Sequence, residues 1–355
     1  RDRAGTVLGP VWIAQPLEHT LGHRPGPGQC QLGGGARRIA ARHRGGGGPL
    51  AWFAVYDAPL PWPADGSADA ADPAAQVEWT GGPDRALFDA AIAHIQQAIS
   101  AGELYQVNYT APLTGSLRQG SAAALFAALQ RAQPGGYAAH INAGGEQVPS
   151  VSPELFFDGQ DVAGGGDILA RPMKGTAARG ATPEEDAAQA ARLRTAPKER
   201  AENVMIVDLL RNDLSRIALP HSVQVPRLFD TTPLPTVWQM TSDVRARTRP
   251  GICLADVFAA LFPCGSVTGA PKIRAMQILG ELEGRPRGLY TGAFGWFAPD
   301  GDFRLNVAIR TLELAADRTG RLGIGSGIVA DSRAAAEWQE CMLKADFLRA
   351  CVPGL

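Results

Sequence analysis

PKERAENVMIVDLLRND, residues 197–213, predicts a helix that presents two carboxylates side by side. Pro197 suits the first helical position, because its missing N–H would have no partner there. Glu199 lies in the first turn, where the helix dipole favours negative charge. Glu202 follows three residues later and therefore shares a face of the helix with Glu199. The positions that recur at helical spacing are Ala201, Val204, Met205, Asp208 and Leu209.

A second pair of carboxylates lies near the other end of the chain. Glu337 and Glu340 belong to SRAAAEWQECMLKADFL, part of a helix predicted from about Ser332 to Ala350. A single Glu-x-x-Glu is more often a solvated acidic edge than a site. Two such pairs on two helices, however, supply the oxygen ligands that Mg²⁺ takes together with water and an anionic substrate. We therefore predict a magnesium site formed by Glu199, Glu202, Glu337 and Glu340.

The composition bounds the class of protein. A chain of 355 residues is one large α/β unit or two domains. The net charge of −1 gives no global field that would attract nucleic acid or a membrane surface. Five scattered cysteines without a CxxC favour reduced thiols over a disulfide scaffold or a zinc site. With no visible signal peptide and no apolar run of about 20 residues, we expect a cytoplasmic protein. The chain begins at Arg1 and not at methionine, so we expect further N-terminal sequence.

The order of predicted elements favours an α+β fold. Residues 1–82 are rich in glycine and proline and predict irregular strands and loops, packed on a catalytic portion that spans residues 83–355. Long strands that follow one another, with helices between the groups, predict an α+β sandwich and not a parallel βαβ sheet. We predict single strands over Ser150–Asp158, Asp167–Lys174, Val237–Arg247 and Phe303–Leu314, and helices over Leu254–Leu261 and from Pro271 to Leu279, the last ended by Gly280.

Three side chains are candidates for chemistry. Lys174 in RPMKGT is either a solvated charge or, if desolvated, a nucleophile with a lowered pKa. Glu154 in SPELFF lies at the edge of an apolar strand, where burial would raise its pKa and suit a general acid. Arg310 lies in the apolar strand NVAIRTL, so its charge needs a structural or a substrate carboxylate.

Two glycine-rich turns leave two interpretations open. FPCGSVTGAPK, residues 262–272, fails the P-loop spacing and predicts a turn that leads into a helix with a proline near its start. GIGSGIVADS, residues 323–332, joins a strand to the helix of Glu337. The backbone N–H groups of each turn are either an anion-binding nest or part of a tight structural connection.

Ten segments, in this order, resemble the chorismate-utilising enzymes. They are GELYQVNYT, SPELFF, RPMKGT, KERAENVMIVDLLRNDLSRI, VWQMTSDV, FPCGSVTGAPKIRAM, GLYTGAFGW, NVAIRTL, GIGSGIVADS and EWQECMLKA, and they span about residues 84–350. As an ordered set they are specific, although no single one is. The resemblance implies a two-layer α/β sandwich of facing antiparallel sheets with helices outside, a site between the sheets, and Mg²⁺ as cofactor.

The resemblance also implies roles for individual residues. Glu202 and Glu340 would bind Mg²⁺, with Glu199 and Glu337 close behind. Lys174 would add to C2 of chorismate while Glu154 protonates the departing C4 hydroxyl. The remaining substrate-binding residues would be Gln106, Gly175, Thr176, Thr268, Tyr290, Arg310, Gly325, Ser326, Gly327 and Lys344.

Two positions distinguish members of the family. Gln106 stands where isochorismate and salicylate synthases have a lysine that activates water, so ammonia is the expected nucleophile. Lys174 stands where aminodeoxychorismate synthases have lysine and anthranilate synthases have alanine. The resemblance thus implies amination of chorismate to 4-amino-4-deoxychorismate for 4-aminobenzoate and folate synthesis, with ammonia from a separate glutamine amidotransferase subunit. An anthranilate synthase component I, or a non-catalytic paralogue that binds the amidotransferase, stays open as an alternative.

Some positions depart from the family pattern. Gln239 in VWQMTS stands where many members have histidine, and Met173 and Cys264 replace the commoner isoleucine and glycine. The first 82 residues are short for the family and show no tryptophan-binding motif, so we expect no feedback control by tryptophan. Whether Lys174 forms a covalent adduct is left open.

Overall fold

Antiparallel strands and helices alternate along the part of the chain that the structure, a computed structural model, describes: residues 7–13, 41–42, 49–56, 74–234 and 237–345. The strands are β1 (Val7–Ile13), β2 (Ala41–Arg42), β3 (Pro49–Trp52), β4 (Val55–Tyr56), β5 (Gln76–Gly81), β6 (Gln106–Gln119), β7 (Tyr137–Asn142), β8 (Gln147–Ser152), β9 (Leu155–Gln160), β10 (Asp167–Ala170), β11 (Met173–Ala178), β12 (Gln224–Pro233), β13 (Val237–Arg247), β14 (Gly269–Ala270), β15 (Ala293–Phe297), β16 (Phe303–Val307), β17 (Leu312–Leu314) and β18 (Thr319–Ile328).

The helices are α1 (Arg85–Ser100), α2 (Ala122–Ala132), α3 (Pro183–Thr195), α4 (Pro197–Ser215), α5 (Leu254–Leu261), α6 (Lys272–Glu283) and α7 (Ala334–Leu343). Within the described ranges, no helix combines the length and the apolar character needed to cross a bilayer.

The strands form two sheets. The large sheet has the order β11-β13-β10-β9-β16-β15-β1-β3-β2, with β12 added on β13 and β4 on β1. The small sheet has the order β14-β6-β18-β17-β8-β7, with β5 added on β6. Strands from the first 82 residues join both sheets, since β1 pairs with β15 and β5 with β6. The proposed division at residue 82 stays a prediction.

Each sheet has its own helical layer and core. Ile206 and Leu210 of α4 and Val257 of α5 pack on Phe157 and Val244 of the large sheet. The small sheet is covered by α1, α2, α6 and α7, whose buried side chains include Ile95, Leu125, Ile278 and Cys341. A smaller cluster of Ile141, Val148, Leu289, Phe294 and Ala308 joins the sheets to each other. The predicted α+β sandwich of two antiparallel sheets is confirmed.

The helix at residues 197–213 is confirmed as α4, with Pro197 in its first turn. Its buried face is not the set of positions at helical spacing given above: Ala201 and Asp208 are exposed. The face that packs on the large sheet carries Asn203, Ile206, Val207, Leu210, Asp213 and Leu214. Glu199 and Glu202 consequently lie beside the core face and not opposite to it.

Two predicted strands are wrong, because each divides between the sheets. The strand expected over Ser150–Asp158 breaks at Pro153, which has no N–H for a ladder; β8 lies in the small sheet and β9 in the large one. The strand expected over Phe303–Leu314 breaks in the same way between β16 and β17. Arg310 therefore lies at a break with φ of +50°, and not within a strand.

The two breaks lie next to each other, and we call residues 152–155 and 307–312 together the paired crossover. The Ser152 hydroxyl donates to the Val307 carbonyl at 2.6 Å. The Val307 N–H donates to the Glu154 carbonyl at 3.1 Å, and the Val151 N–H donates to the Arg310 carbonyl at 3.1 Å. The crossing segments thus satisfy each other's backbone groups where neither has a sheet partner.

Three further boundaries differ from the predictions. The strand expected over Asp167–Lys174 divides into β10 and β11 around Pro172. Gly280 does not end α6, which continues to Glu283 and ends at Gly284, a left-handed residue with φ of +58°. The last helix, expected to reach Ala350, is α7, and residues 346–350 lie outside the described ranges. So do residues 1–6, 14–40, 43–48 and 57–73 of the glycine- and proline-rich portion.

A buried ion pair links the small sheet to the turn before α6. Both side chains of the Arg287–Glu283 pair are 0% exposed. The guanidinium donates to Glu283 through Nε and Nη2, to the Val267 carbonyl and the Thr291 hydroxyl through Nη1, and to the Asn108 carbonyl through Nη2. All five of its N–H groups therefore have acceptors, which is what a buried guanidinium needs.

Replacing Arg287 should be among the costly single changes in the core. We expect Arg287→Ala to lower the free energy of unfolding by about 3 to 5 kcal/mol, because it leaves the buried Glu283 carboxylate without the cation that pairs with it. Arg304→Ala is the control, since the Arg304–Asp158 pair is 48% and 23% exposed, and it should cost less than about 1 kcal/mol. Urea unfolding followed by tryptophan fluorescence measures both; equal losses would contradict the buried pair's role.

Candidate active site

The paired crossover carries Glu154 into the interior between the sheets. Glu154 is 4% exposed, and one of its oxygens, Oε1, accepts a hydrogen bond of 2.7 Å from the Ser266 hydroxyl. Burial raises the pKa of Glu154, and the Ser266 hydrogen bond and the charge of Lys174 oppose that rise. A carboxyl group in this position holds its proton to higher pH than a solvated one, as a general acid requires.

A β-bulge directs Lys174. Met173 pairs with Thr241 and Thr176 with Gln239, so that two residues of β11, Lys174 and Gly175, oppose one residue of β13. Gly175 has φ of +101°, a left-handed conformation that favours glycine. Bulges of this kind redirect a side chain beside an active site.

The lysine amine lies against the small sheet. A Cβ added to Gly327 of β18 would lie 3.4 Å from Lys174 Nζ and 2.4 Å from Gln106 Nε2. Both side chains, one from each sheet, thus occupy the space that glycine leaves. Gln106 is 1% exposed, and its Oε1 has no hydrogen-bond partner among the described residues. Buried polar atoms without partners are uncommon, so this oxygen is available to a bound molecule.

Lys174 lies in an electrostatic field of mixed sign. Burial lowers its pKa, and the nearby charge of Lys344 lowers it further. The carboxylates of Glu154, Glu202 and Glu340 act in the opposite direction without reversing the shift. A lowered pKa increases the fraction of neutral amine, which is the nucleophilic form.

The glutamates differ in the groups that surround their carboxylates. Burial raises the pKa of Glu202; the charges of Lys174 and Lys198 oppose that rise, whereas those of Glu199 and Glu340 add to it. Burial also opposes ionisation of Glu340, but Lys344, 2.7 Å away, lowers the pKa together with the charges of Lys174 and Lys198. Glu337 instead accepts a 2.7 Å hydrogen bond from the Ser332 hydroxyl just before α7.

The carboxylates of α4 and α7 fit a hard cation by their chemistry. Among the residues that the structure describes, no three His, Cys, Asp or Glu side chains form a ready-made metal cluster. Mg²⁺ does not require one, because it commonly binds one or two carboxylates and keeps water or substrate oxygens as its other ligands. Glu202 and Glu340, from helices on different sheets, are the pair that fits this pattern.

The open edge of β18 provides backbone groups beside these glutamates. Gly325 and Gly327 pair with Thr110 and Asn108 of β6, whereas the other neighbour, β17, reaches only to Leu322 among the described residues. Lys344 Nζ donates to the Gly325 carbonyl at 2.9 Å. Since carbonyl and N–H groups of one strand residue point the same way, the Gly325 N–H faces that open edge. Ser326 lies between the glycines and is fully buried.

Three other residues predicted to contact the substrate, Arg310, Tyr290 and Thr268, contact other parts of the protein. Arg310 Nη1 donates to Gln133 at 2.6 Å, burial lowers its pKa, and no carboxylate in the described ranges pairs with it. The Tyr290 ring covers Gly323, whose added Cβ would lie 2.0 Å from it. Burial raises the pKa of the Tyr290 phenol. The Thr268 hydroxyl is turned into its own loop, where it donates to the Cys264 carbonyl at 2.9 Å.

The residues of β11 next to Lys174 contact α4. A Cβ on Gly175 would lie 3.1 Å from Glu199 Oε2, and the Thr176 N–H faces the same carboxylate. The Thr176 hydroxyl donates to Gln239 Oε1 at 3.2 Å. Gln239, which stands where many members have histidine, thus supports the lysine strand from β13.

Asn203 is a positioning residue that sequence reasoning missed. Its side-chain amide donates to the Lys174 carbonyl at 3.2 Å, and its Oδ1 accepts from the Ser242 hydroxyl at 2.6 Å. Asn203 therefore ties the strand of Lys174 to the helix of Glu202. The available signal was its place directly after Glu202 on a predicted helix, but the partners lie 29 and 39 residues away.

The family model for chorismate binding enzymes matches residues 55–350, so the chain belongs to the chorismate binding enzyme family. Aminodeoxychorismate synthase component 1 of Klebsiella aerogenes is 40% identical over 291 residues, which are 82% of this chain and 61% of that protein. Aminodeoxychorismate synthase of Streptomyces griseus is 44% identical over 250 residues, 70% of this chain and 34% of that protein. The chain thus spans less than two thirds of either relative.

The fold agrees with this membership. The crystal structure of anthranilate synthase component I from Streptococcus pneumoniae TIGR4 superposes with a TM-score of 0.73 at 27% identity. The superposition covers 85% of this chain and 74% of that one. The two sheets and their helices are therefore the common architecture on which the site is built.

Lys174 should acylate at an unusually low pH in the folded protein. Only the neutral amine reacts, and a lowered pKa means that it forms at lower pH. With an amine-acylating reagent and peptide mass spectrometry, the normalised reaction of Lys174 should reach half its maximum at lower pH in the folded than in the urea-unfolded chain. An equal or higher midpoint in the folded protein would refute the shift.

Asn203→Ala and Ser242→Ala should not be additive in stability. Because the two side chains share one hydrogen bond, we expect a coupling energy of about 0.5 to 3 kcal/mol in a double-mutant cycle measured by urea unfolding. Thr248→Val is the control, since the Thr248 hydroxyl donates to the Val162 carbonyl and shares no partner with Asn203. Additive losses for the first pair would mean that Asn203 does not depend on Ser242.

Proposed function

We propose that this protein aminates chorismate at C4 to give 4-amino-4-deoxychorismate. The observation that carries the proposal is the pairing of Lys174 and Glu154, whose pKa values burial shifts in opposite directions. An amine with a lowered pKa and a carboxyl with a raised pKa are suited to serve as the nucleophile and the general acid that this substitution needs. The two aminodeoxychorismate synthases described above support the choice, as relatives at 40% and 44% identity.

The first half of the reaction uses both groups. The neutral amine of Lys174 forms a bond to C2, the ring double bonds shift, and the C4–O bond breaks. Glu154 gives its proton to that oxygen, which leaves as water, and the carboxylate then takes a proton from the new C2 ammonium. Burial of both side chains keeps bulk water away from the reacting carbons.

The second half restores the lysine. Ammonia forms a bond to C4, the double bonds shift back, and the bond between C2 and Lys174 breaks. Glu154 gives its proton to the departing Lys174 nitrogen and takes one from the new C4 ammonium, so that both groups are restored and chorismate and ammonia give product and water. Gln106, whose buried Oε1 has no hydrogen-bond partner among the described residues, would accept a hydrogen bond from ammonia.

The other residues bind and orient the substrate. Glu202 and Glu340 would hold Mg²⁺, which when bound neutralises a substrate carboxylate and orients the ring. The N–H of Gly325 lies on an open edge near Lys344 and would contact the same carboxylate. Arg310, which has no carboxylate partner in the described ranges, would bind the second carboxylate of chorismate.

A partner subunit is part of the proposal. The relative from Klebsiella aerogenes is called component 1, a name that implies a second component in that enzyme. We infer that a glutamine amidotransferase supplies ammonia here too, that free ammonium replaces it at high concentration, and that the protein acts in the cytoplasm in 4-aminobenzoate and folate synthesis.

Anthranilate formation is the second candidate, because a solved structure with the same fold is an anthranilate synthase component I. Lys174 is the feature that distinguishes them. When the protein is incubated with chorismate, Mg²⁺ and ammonium, we expect mass spectrometry to show 4-amino-4-deoxychorismate. Fluorescent anthranilate as the direct product would favour the second candidate, and Mg²⁺-dependent binding of chorismate without turnover would favour the non-catalytic paralogue.

Lys174→Ala should nearly abolish amination while chorismate still binds, because the C2 nucleophile is gone. Glu154→Gln should lower kcat by about 10²- to 10⁴-fold, the contribution typical of general acid–base catalysis. Turnover is measured by the loss of chorismate absorbance with ammonium as nitrogen source. Unchanged turnover in Lys174→Ala would remove the covalent step.

Glu202→Gln should mainly raise the Mg²⁺ concentration required for activity, since it removes one ligand charge. Glu184→Gln is the matched control, because Glu184 is exposed on α3 and should leave the Mg²⁺ titration unchanged. A Glu202→Gln titration that coincides with that of the wild type would exclude Glu202 as a ligand.

A further inference from the structure

A short chain of hydrogen bonds continues behind Glu154. The Cys264 Sγ and the Ser266 Oγ are 3.2 Å apart, and Ser266 Oγ is 2.7 Å from Glu154 Oε1. All three residues are at most 4% exposed. The cysteine and serine belong to the turn that precedes α6, whereas Glu154 belongs to the paired crossover.

We propose that Cys264 and Ser266 are positioning residues that act as a directional relay, in which the thiol donates to the hydroxyl and the hydroxyl donates to Glu154 Oε1. The relay leaves Oε2 as the oxygen that carries the acidic proton. The inference rests on the proposed function for its catalytic meaning, but not for its geometry.

The direction of the relay follows from what each group can donate and accept. Ser266 has one proton, and a carboxyl oxygen is a far better acceptor than a sulfur. If the serine proton goes to Glu154, the serine oxygen accepts from Cys264. Burial, together with the charge of Glu154, raises the pKa of the Cys264 thiol to about 12, so the thiol keeps its proton near neutral pH and is available as a donor.

From the turn before α6, Glu154 receives one neutral hydrogen bond, which is the end of the relay. The other groups that face the carboxyl are the Lys174 amine and the Met173 N–H, both on β11. Lys272 acts on the thiol of Cys264 from the start of α6. Because Lys174 changes its charge during the proposed reaction, a fixed neutral donor on Oε1 keeps the carboxyl oriented throughout.

The relay also gives a role to a departure from the family pattern. Cys264 stands where the commoner residue is glycine, which has no donor to offer Ser266. A hydroxyl that itself accepts a hydrogen bond is a stronger donor, because linked hydrogen bonds polarise one another. Cys264 therefore holds Ser266 in the orientation that serves Glu154.

The sign of the change in the pKa of Glu154 tests the direction of the hydrogen bonds in the relay. A donor to Oε1 stabilises the ionised carboxylate, so Ser266→Ala should raise the pKa of Glu154 by about one unit. Cys264→Gly should raise the pKa of Glu154 by less, and Cys264→Ser should leave it at the wild-type value because serine keeps a donor at this position. If the hydrogen bonds ran the other way, Ser266 would stabilise the protonated acid, and its loss would lower the pKa.

Infrared difference spectroscopy measures this pKa without any substrate. The carbonyl band of the protonated carboxyl is followed against pH in the full chain, with Glu154→Gln as the baseline that lacks the band. Thr248→Val is the control for loss of a buried hydroxyl that donates elsewhere, and it should not shift the titration. Cooperative urea unfolding confirms that each variant is folded.

A parallel measurement connects the relay to turnover. With chorismate and ammonium as substrates, the alkaline limb of the pH profile of kcat should shift to higher pH in Ser266→Ala, by the same amount as the infrared pKa. An infrared pKa that falls or stays constant overturns the relay. A wild-type protein that shows the infrared shift but does not turn over chorismate overturns the proposed function and leaves the relay intact.

Discussion

The paired crossover is the constraint on which the rest of the site depends. A chain that leaves one sheet for another loses the ladder partners of its backbone groups, and buried N–H and C=O groups must find others. The two crossing segments supply them to each other: the Val307 N–H donates to the Glu154 carbonyl, and the Val151 N–H donates to the Arg310 carbonyl. The positions of Glu154 and Arg310 in the paired crossover therefore follow from the need of these backbone groups to pair with each other.

The site is completed only when the two sheets meet. The large sheet contributes Lys174 and, through α4, Glu202, whereas the small sheet contributes Gln106 and, through α7, Glu340. Each sheet has a separate apolar core. The contacts that join them include the crossover hydrogen bonds, the cluster around Phe294, and the relay from Ser266 to Glu154.

Local signals predicted the elements that carry their own pattern. The strand Val237–Arg247 and the helix Leu254–Leu261 have the predicted bounds, and Pro197 marked the start of α4. The crossover was missed because its partner segments lie about 155 residues apart, and apolar runs continue through both breaks. Arg310 was singled out, although the strand predicted around it was wrong. The fully buried Arg287 was not, since two of its five hydrogen bonds go to backbone carbonyls 20 and 179 residues away, which leave no trace in a sequence.

The placement of Lys174 has a consequence for how such a protein can diversify. Among the described strands, β11 pairs with β13 alone, and the bulge interrupts that pairing at Lys174 and Gly175. A substitution there affects one edge of the large sheet, whereas a change at Glu154 or Gln106 would affect the paired crossover or the buried part of β6. Under the proposed function, the position that separates amination from anthranilate formation thus lies on an edge strand, where a change of side chain leaves the ladders of both sheets in place.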